Sequence, residues 1–351
     1  MIYPKFLKMH DKIGVTATSD GCKEKEDQEK LQVALEHIAQ LGYDNVVTKN
    51  CYTSTKGRSS DAHVRKNELM SLISDDTIKA IFAPGGGDYL LEMLSHLDFE
   101  EIKRNPKWFQ GYSDLTGLLF TITTNCDMAT IYASNAKEFA MKGWHPSLID
   151  NWSILRGENV LQKSFDLFQD GFVKNPAIDA PYECTKQSNW KMKKVIDGVY
   201  QNTQEAFSCK GRLIGGCLDV IVSLIGTNYD KTFDYLEKYK ADKYIWYLET
   251  FDLTAEKIIL ALWQMREAGW FAHTSAIVWG RPLFFSTSTE TSYEEAIVTG
   301  LEKMGIPIIY DVDFGHKPPR MTIVNGAVGQ FHYQYNKDTQ CGEGMLEMEF
   351  I

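Results

Sequence analysis

The chain has 351 residues, 44% of them hydrophobic and 24% charged, which is the balance of a soluble globular protein and too much chain for one compact core. A formal net charge of −10, with Lys and Arg scattered rather than striped, argues against a nucleic-acid backbone as the main partner. Seven dispersed cysteines with no CxxC pair argue against a disulfide frame or a zinc site, and no window has the length of a signal-peptide core or a membrane span. The expectation is a cytoplasmic protein with reduced thiols, no metal and no membrane partner.

Lys12 to Ala17 is a short β-branched run and reads as a first strand. A helix follows, with Leu31, Ala34, Leu35, Ile38 and Leu41 on one face and Gly42 as its stop. Asn45 to Thr48 is a second strand, and Ser60-Asp61 caps a helix carrying Leu69, Met70 and Leu72. Ile78 to Phe82 is a third strand, with Pro84-Gly-Gly-Gly87 directly behind it and a helix from Asp88. Trp108 to Gly111 is a fourth, followed by Ser113 and a helix that opens at Asp114. Strand and helix alternate strictly here, which predicts a parallel sheet covered on both faces.

Beyond Ile149 the pattern loosens, with a helical piece predicted over Asn159 to Phe168 and a polar, irregular stretch from Asp170 to Lys191. A second domain is expected from about Cys209. Gly211 to Ile214 reads as a strand, Gly215-Gly216 as a tight turn and Leu218 to Ile225 as a short helix. Tyr244 to Leu248 is an apolar strand, and a helix with Ile258, Leu260, Leu262 and Met265 follows. Ser275 to Val278, Ile306 to Tyr310 and Met321 to Val324 are further strands, and the tail from Gly342 alternates as an edge strand would. The fold class is thus α/β: an N-terminal parallel-sheet domain over 1–165, an insertion over 166–208, and a smaller α/β domain with a β-rich core over 209–351.

Chemistry-bearing residues fall at the strand ends. Backbone without side chains at Gly85 to Gly87 can approach a ligand closely and offer N–H groups to an anion. Ser113, between a strand and a helix, stands where α/β proteins place a nucleophile, although Leu115 replaces the second glycine of a G-x-S-x-G elbow. The bland alternative is a helix cap. Glu249 closes an apolar strand, and a carboxylate there needs a partner or is simply a helix-start group. His316, among Gly and Pro in Asp313-Phe-Gly-His-Lys-Pro-Pro, reads as a general base on a rigid exposed loop, or as an ordinary surface histidine. His145 and His273 are its rivals. Ser, Glu, His is the chain order of many α/β hydrolases. A cysteine nucleophile, Cys126 or Cys217, and a non-catalytic ligand-binding protein of the same fold are the alternatives.

Five ordered motifs, Ala83-Pro-Gly-Gly86, Gly111-Tyr-Ser-Asp-Leu-Thr116, Gly211 to Gly216, Tyr247-Leu-Glu249 and Asp313-Phe-Gly-His316, resemble the LD-carboxypeptidase family of serine peptidases. The long insertion is similar to that of its microcin C self-immunity branch. The resemblance implies a cytoplasmic homodimer without metal or cofactor, acting on a small muropeptide or peptidyl-nucleotide. It implies Ser113 as nucleophile, Glu249 and His316 as the rest of the triad, and the amides of Gly86 and Asp114 as the oxyanion hole. Gly85 is a candidate for substrate contact. Cys217 stands where the family often has Asn, which makes it a candidate for lining the site. Trp190 is a candidate for stacking on a nucleotide base, or else plugs the seam between domains.

Overall fold

In the computed structural model all 351 residues are described, and the chain divides into two compact units. The first comprises Met1–Val160, Val173–Tyr182 and Met321–Gly326; the second comprises Leu161–Phe172, Glu183–Arg320 and Ala327–Ile351. The stretch 166–208 is therefore shared between the units rather than standing apart as one insertion. No helix is long and apolar enough to cross a membrane.

The first unit is a six-stranded sheet in the order Ile323–Asn325, Thr130–Tyr132, Trp108–Gly111, Ile78–Phe82, Lys12–Val15, Asp44–Val47. The last five are parallel, and all but the edge strand Asp44–Val47 are largely buried, as parallel strands are. The first pairs antiparallel with Thr130–Tyr132, so the strand expected at Met321 to Val324 serves this sheet and not the second. Strand order reverses beside Lys12–Val15, and in such sheets the crevice beyond the carboxyl ends is where ligands bind. The helix Lys25–Gln40 buries Leu31, Ala34, Leu35 and Ile38 of the predicted stripe, whereas Leu41 caps the helix and is exposed. Asp61 caps Ala62–Ser74 by accepting the Val64 amide. Thr116–Cys126 is buried on nearly every side, which makes the helix behind Ser113 a rigid base.

The second unit is built on a nine-stranded mixed sheet. Four parallel strands form its middle, Ile308–Val312, Thr274–Gly280, Tyr244–Glu249 and Phe207–Cys217. Antiparallel strands flank them: the hairpin Lys191–Ile196 and Val199–Thr203 on one side, and Val328–Asn336 with Cys341–Glu349 on the other. All six residues of Tyr244–Glu249 are buried, and Trp246 stacks on Trp270 with ring centroids 5.9 Å apart.

Two expectations are corrected. The helix expected over Asn159 to Phe168 is absent; Gln162–Lys163 pairs with Met345 and Leu346, and Leu167–Phe168 pairs with Lys186–Gln187. These long-range pairings override a weak local helical pattern. Gly215 and Gly216 are not a turn either, because the strand runs on to Cys217 with them opposite Tyr247 and Leu248. Lacking side chains, they let the neighbouring backbone close in.

Candidate active site

In the first unit the strands Ile78–Phe82 and Trp108–Gly111 are neighbours, and the loops that follow them meet at Gly86 and Ser113. Ser113 has φ +65°, a left-handed conformation that a non-glycine residue adopts only at about 1–3 kcal/mol of strain. Surrounding bonds hold it there. The Tyr112 amide donates to Asn135 Oδ1 at 3.2 Å, the Ala83 amide to the Gln110 carbonyl at 3.1 Å, and the Ala136 amide to the Ala83 carbonyl at 2.8 Å. Beneath them Gln110 is locked by Asn151 and the Ser134 carbonyl.

Gly86 faces Ser113 so closely that a Cβ there would lie 2.9 Å from both Cβ and Oγ of the serine, and 3.8 Å from the Asp114 nitrogen. Only glycine leaves room for backbone amides to approach an oxygen bound at Ser113. Gly85 is half-buried beside Lys137, which pairs with Asp27 at 2.7 Å. The buried Asp114 carboxylate accepts the Leu90 amide at 2.9 Å and the Ser19 hydroxyl. Burial pushes this carboxyl above its ordinary range, while the Ser19 and Leu90 donors pull it back. Its side chain is thus an anchor that fixes where its own amide points. Ser19, four residues past the first strand, went unassigned in the sequence; only its place in space reveals it.

In the second unit Glu249 and His316 meet at the carboxyl edge of the sheet, from parallel strands one apart. Glu249 ends Tyr244–Glu249 and is fully buried; His316 follows Ile308–Val312. Between them runs Thr274–Gly280, whose last residue has to be glycine. A Cβ at Gly280 would sit 3.0 Å from Glu249 Cβ and 2.6 Å from the Phe314 carbonyl oxygen. His316 Nδ1 lies 2.8 Å from Glu249 Oε2, and the Phe251 ring covers the imidazole at 4.8 Å. With Nδ1 engaged by a carboxylate, Nε2 is the nitrogen that can take a proton. His316 is buried, not exposed as its Gly/Pro neighbourhood suggested.

Cys217 is the register partner of Glu249, and its Sγ lies 3.4 Å from Asp219 Oδ2. Burial, and then the charges of Glu249 and Asp219, push this thiol well above its ordinary range, so it is not a thiolate nucleophile. Burial likewise pushes Cys126 up to about 12. Asp219 is raised by burial against the opposing amides of Asp252 and Phe251. The rival histidines are employed elsewhere: His145 Nδ1 caps the helix Pro146–Leu155, and His273 pairs with Glu237 at 2.7 Å on the surface.

Models of the LD-carboxypeptidase N-terminal and C-terminal domains match residues 13–133 and 210–331. The chain belongs to the LD-carboxypeptidase family. It is a serine-type carboxypeptidase, a hydrolase of peptide bonds. The Bacillus subtilis protein YocD, named as a carboxypeptidase, is 27% identical over 336 residues, covering 93% of this chain and 94% of its own. The microcin C7 self-immunity protein MccF of Escherichia coli is 26% identical, over 90% of this chain and 88% of its own. The structure of MccF in complex with aspartyl sulfamoyl adenosine has the same fold: TM-score 0.78, 20% identity, 100% of this chain and 99% of that one.

For this LD-carboxypeptidase, the structure groups Ser113, Gly86, Asp114 and Gly85 around one turn, and Glu249, His316 and Cys217 around another. Trp190 falls outside both groups. It is fully buried in its own unit, donates Nε1–H to Asp313 at 2.9 Å, and its ring fills the space above Gly344 while its backbone lies against Gly342. It presents no open face on which a base could stack.

Proposed function

We propose that this LD-carboxypeptidase cleaves an amide next to a free carboxylate through Ser113, His316 and Glu249 acting as one triad. His316 Nε2 takes the Ser113 proton as Oγ attacks the carbonyl. Glu249 holds the imidazole in its Nδ1–H tautomer and stabilises the imidazolium. The amides of Gly86 and Asp114 receive the oxyanion, and protonated His316 then returns its proton to the leaving amine. Water attacks the resulting acyl-enzyme with His316 again as base. The observation that carries this reading is the 2.8 Å Glu249–His316 bond, formed by a fully buried carboxylate. A strained serine standing over Gly86 supports the nucleophile's role.

The substrate is proposed to be small, a peptidyl- or aminoacyl-nucleotide or a muropeptide. Offering aspartyl sulfamoyl adenosine and murein tetrapeptide to the purified protein, with products read by mass spectrometry, decides between them. Release of aspartate from the first assigns detoxification; release of the terminal residue from the second assigns cell-wall recycling. Cleavage of neither would count against both substrate classes.

A further inference from the structure

We propose that Asp313 and Arg281 are positioning residues for His316, joined by a strap, residues 165–170, that clamps the His316 loop. The proposal rests on His316 and Glu249 being the base and its orienting partner.

Asp313 is fully buried three positions before the histidine. Its carboxylate accepts from Arg281 at 2.7 Å, Trp190 Nε1 at 2.9 Å, the Phe165 amide at 3.1 Å and Ser188 Oγ at 3.3 Å. Arg281 is buried as well; it also donates to Ser188 Oγ at 2.6 Å and lies 4.2 Å above the Phe168 ring. Burying such an ion pair does little for net stability, since apolar residues of the same volume usually serve as well. What it supplies is direction: a charged, multiply bonded node admits one arrangement where an apolar contact admits several.

The node's place shows what is directed. Asp313 is the first residue of the loop that carries His316. Further along, the Gly315 carbonyl accepts Arg320 Nε at 2.9 Å, and the Pro318 carbonyl accepts the Gln169 amide at 2.8 Å. Lys317, next to His316, pairs with Asp170 at 2.6 Å. Phe165, Gln169 and Asp170 thus grip the loop on both sides of the histidine, and Phe168 covers Arg281. A general base must be held to a fraction of an ångström, because a 1 Å misplacement can lower a rate about 10²-fold. The strap and the node hold the backbone of His316 while Glu249 holds its ring.

The test is solvent exchange of the His316 Nδ1 proton, followed by NMR in full-length protein labelled with ¹⁵N-histidine. Glu249→Gln assigns the signal by removing it. Asp313→Asn is expected to speed exchange at least about tenfold at temperatures where circular dichroism shows the fold intact. Trp190→Phe keeps an aromatic ring, though a smaller one, and drops one donor; it is expected to act in the same direction by a smaller factor, and it carries the test if Asp313→Asn does not fold. A role in stability alone would lower the melting temperature and leave exchange below the transition within about twofold of wild type, and that result would overturn the proposal. A wild-type protein with no Glu249-dependent signal would instead sink the Glu249–His316 pair itself.

Discussion

Replacing Glu249 with Gln keeps the shape of a fully buried side chain and removes its charge. The pair is 2.8 Å apart, and in the proposed mechanism His316 is positively charged while it holds the serine's proton. Two unit charges about 4 Å apart at an effective dielectric of about 20 interact by about 4 kcal/mol, or about three powers of ten in rate. Loss of the correct tautomer adds to this, and the equivalent change in other triads lowers kcat about 10⁴-fold. The expectation is therefore a fall in kcat of about 10³–10⁴ with little change in KM, because the charge acts in the transition state. Initial rates on whichever compound the wild type cleaves measure it, and a melting curve beside them checks the fold. Taking one partner out of a buried pair can cost about 3–5 kcal/mol of stability, so rates are compared below the variant's own melting transition. A loss of less than about tenfold in a folded variant would refute the assignment of Glu249 as the orienting carboxylate.

Gly86→Ala places a methyl 2.9 Å from Ser113 Oγ and displaces the turn; kcat is expected to fall about 10²–10³-fold, as when an oxyanion donor is lost, and steady-state kinetics check it. Iodoacetamide at pH 8 followed by peptide mapping should label the half-buried Cys184 and Cys341 and spare Cys217, whose thiol burial holds neutral. Glu92 is held down to about 2, first by its bond to Arg58 and then by Arg65. Its folded value lies below the ordinary 4.5, so its contribution is present above that pH and is lost as pH falls through about 2. Melting curves of wild type and Glu92→Gln should therefore converge between those limits, the difference being small because the carboxylate is 42% exposed.

The strand ends were legible because a parallel sheet writes them twice, as apolar β-branched runs and as the Gly-rich turns behind them. Ile78–Phe82 and Trp108–Gly111 begin and end where the sequence places them. Ser113 could be read as a candidate, but its left-handed φ is set by Asn135 and Gln110, whose contacts are long-range. Glu249 was ambiguous for the same reason: a buried carboxylate and a helix-start carboxylate look alike until the partner is seen. The pattern that suggested exposure for His316, glycine and proline around it, is here the pattern of a clamped loop. Asp313 was quoted within a motif and given no role, since its partners lie 32 to 148 positions away. Trp190 was misleading because an aromatic in a polar stretch suggests an open face, while Gly344 leaves room for its ring and Gly342 for its backbone, which no local pattern shows.

The most direct measurement is the hydrolysis rate of Ser113→Ala beside wild type, on a compound the wild type cleaves and at equal folded concentration. The account predicts turnover lower by about 10⁴ or more with the substrate still bound, because the hydroxyl that attacks is gone while the amides around it remain. Turnover within about tenfold of wild type would contradict it, and would move the nucleophile to another side chain or to water.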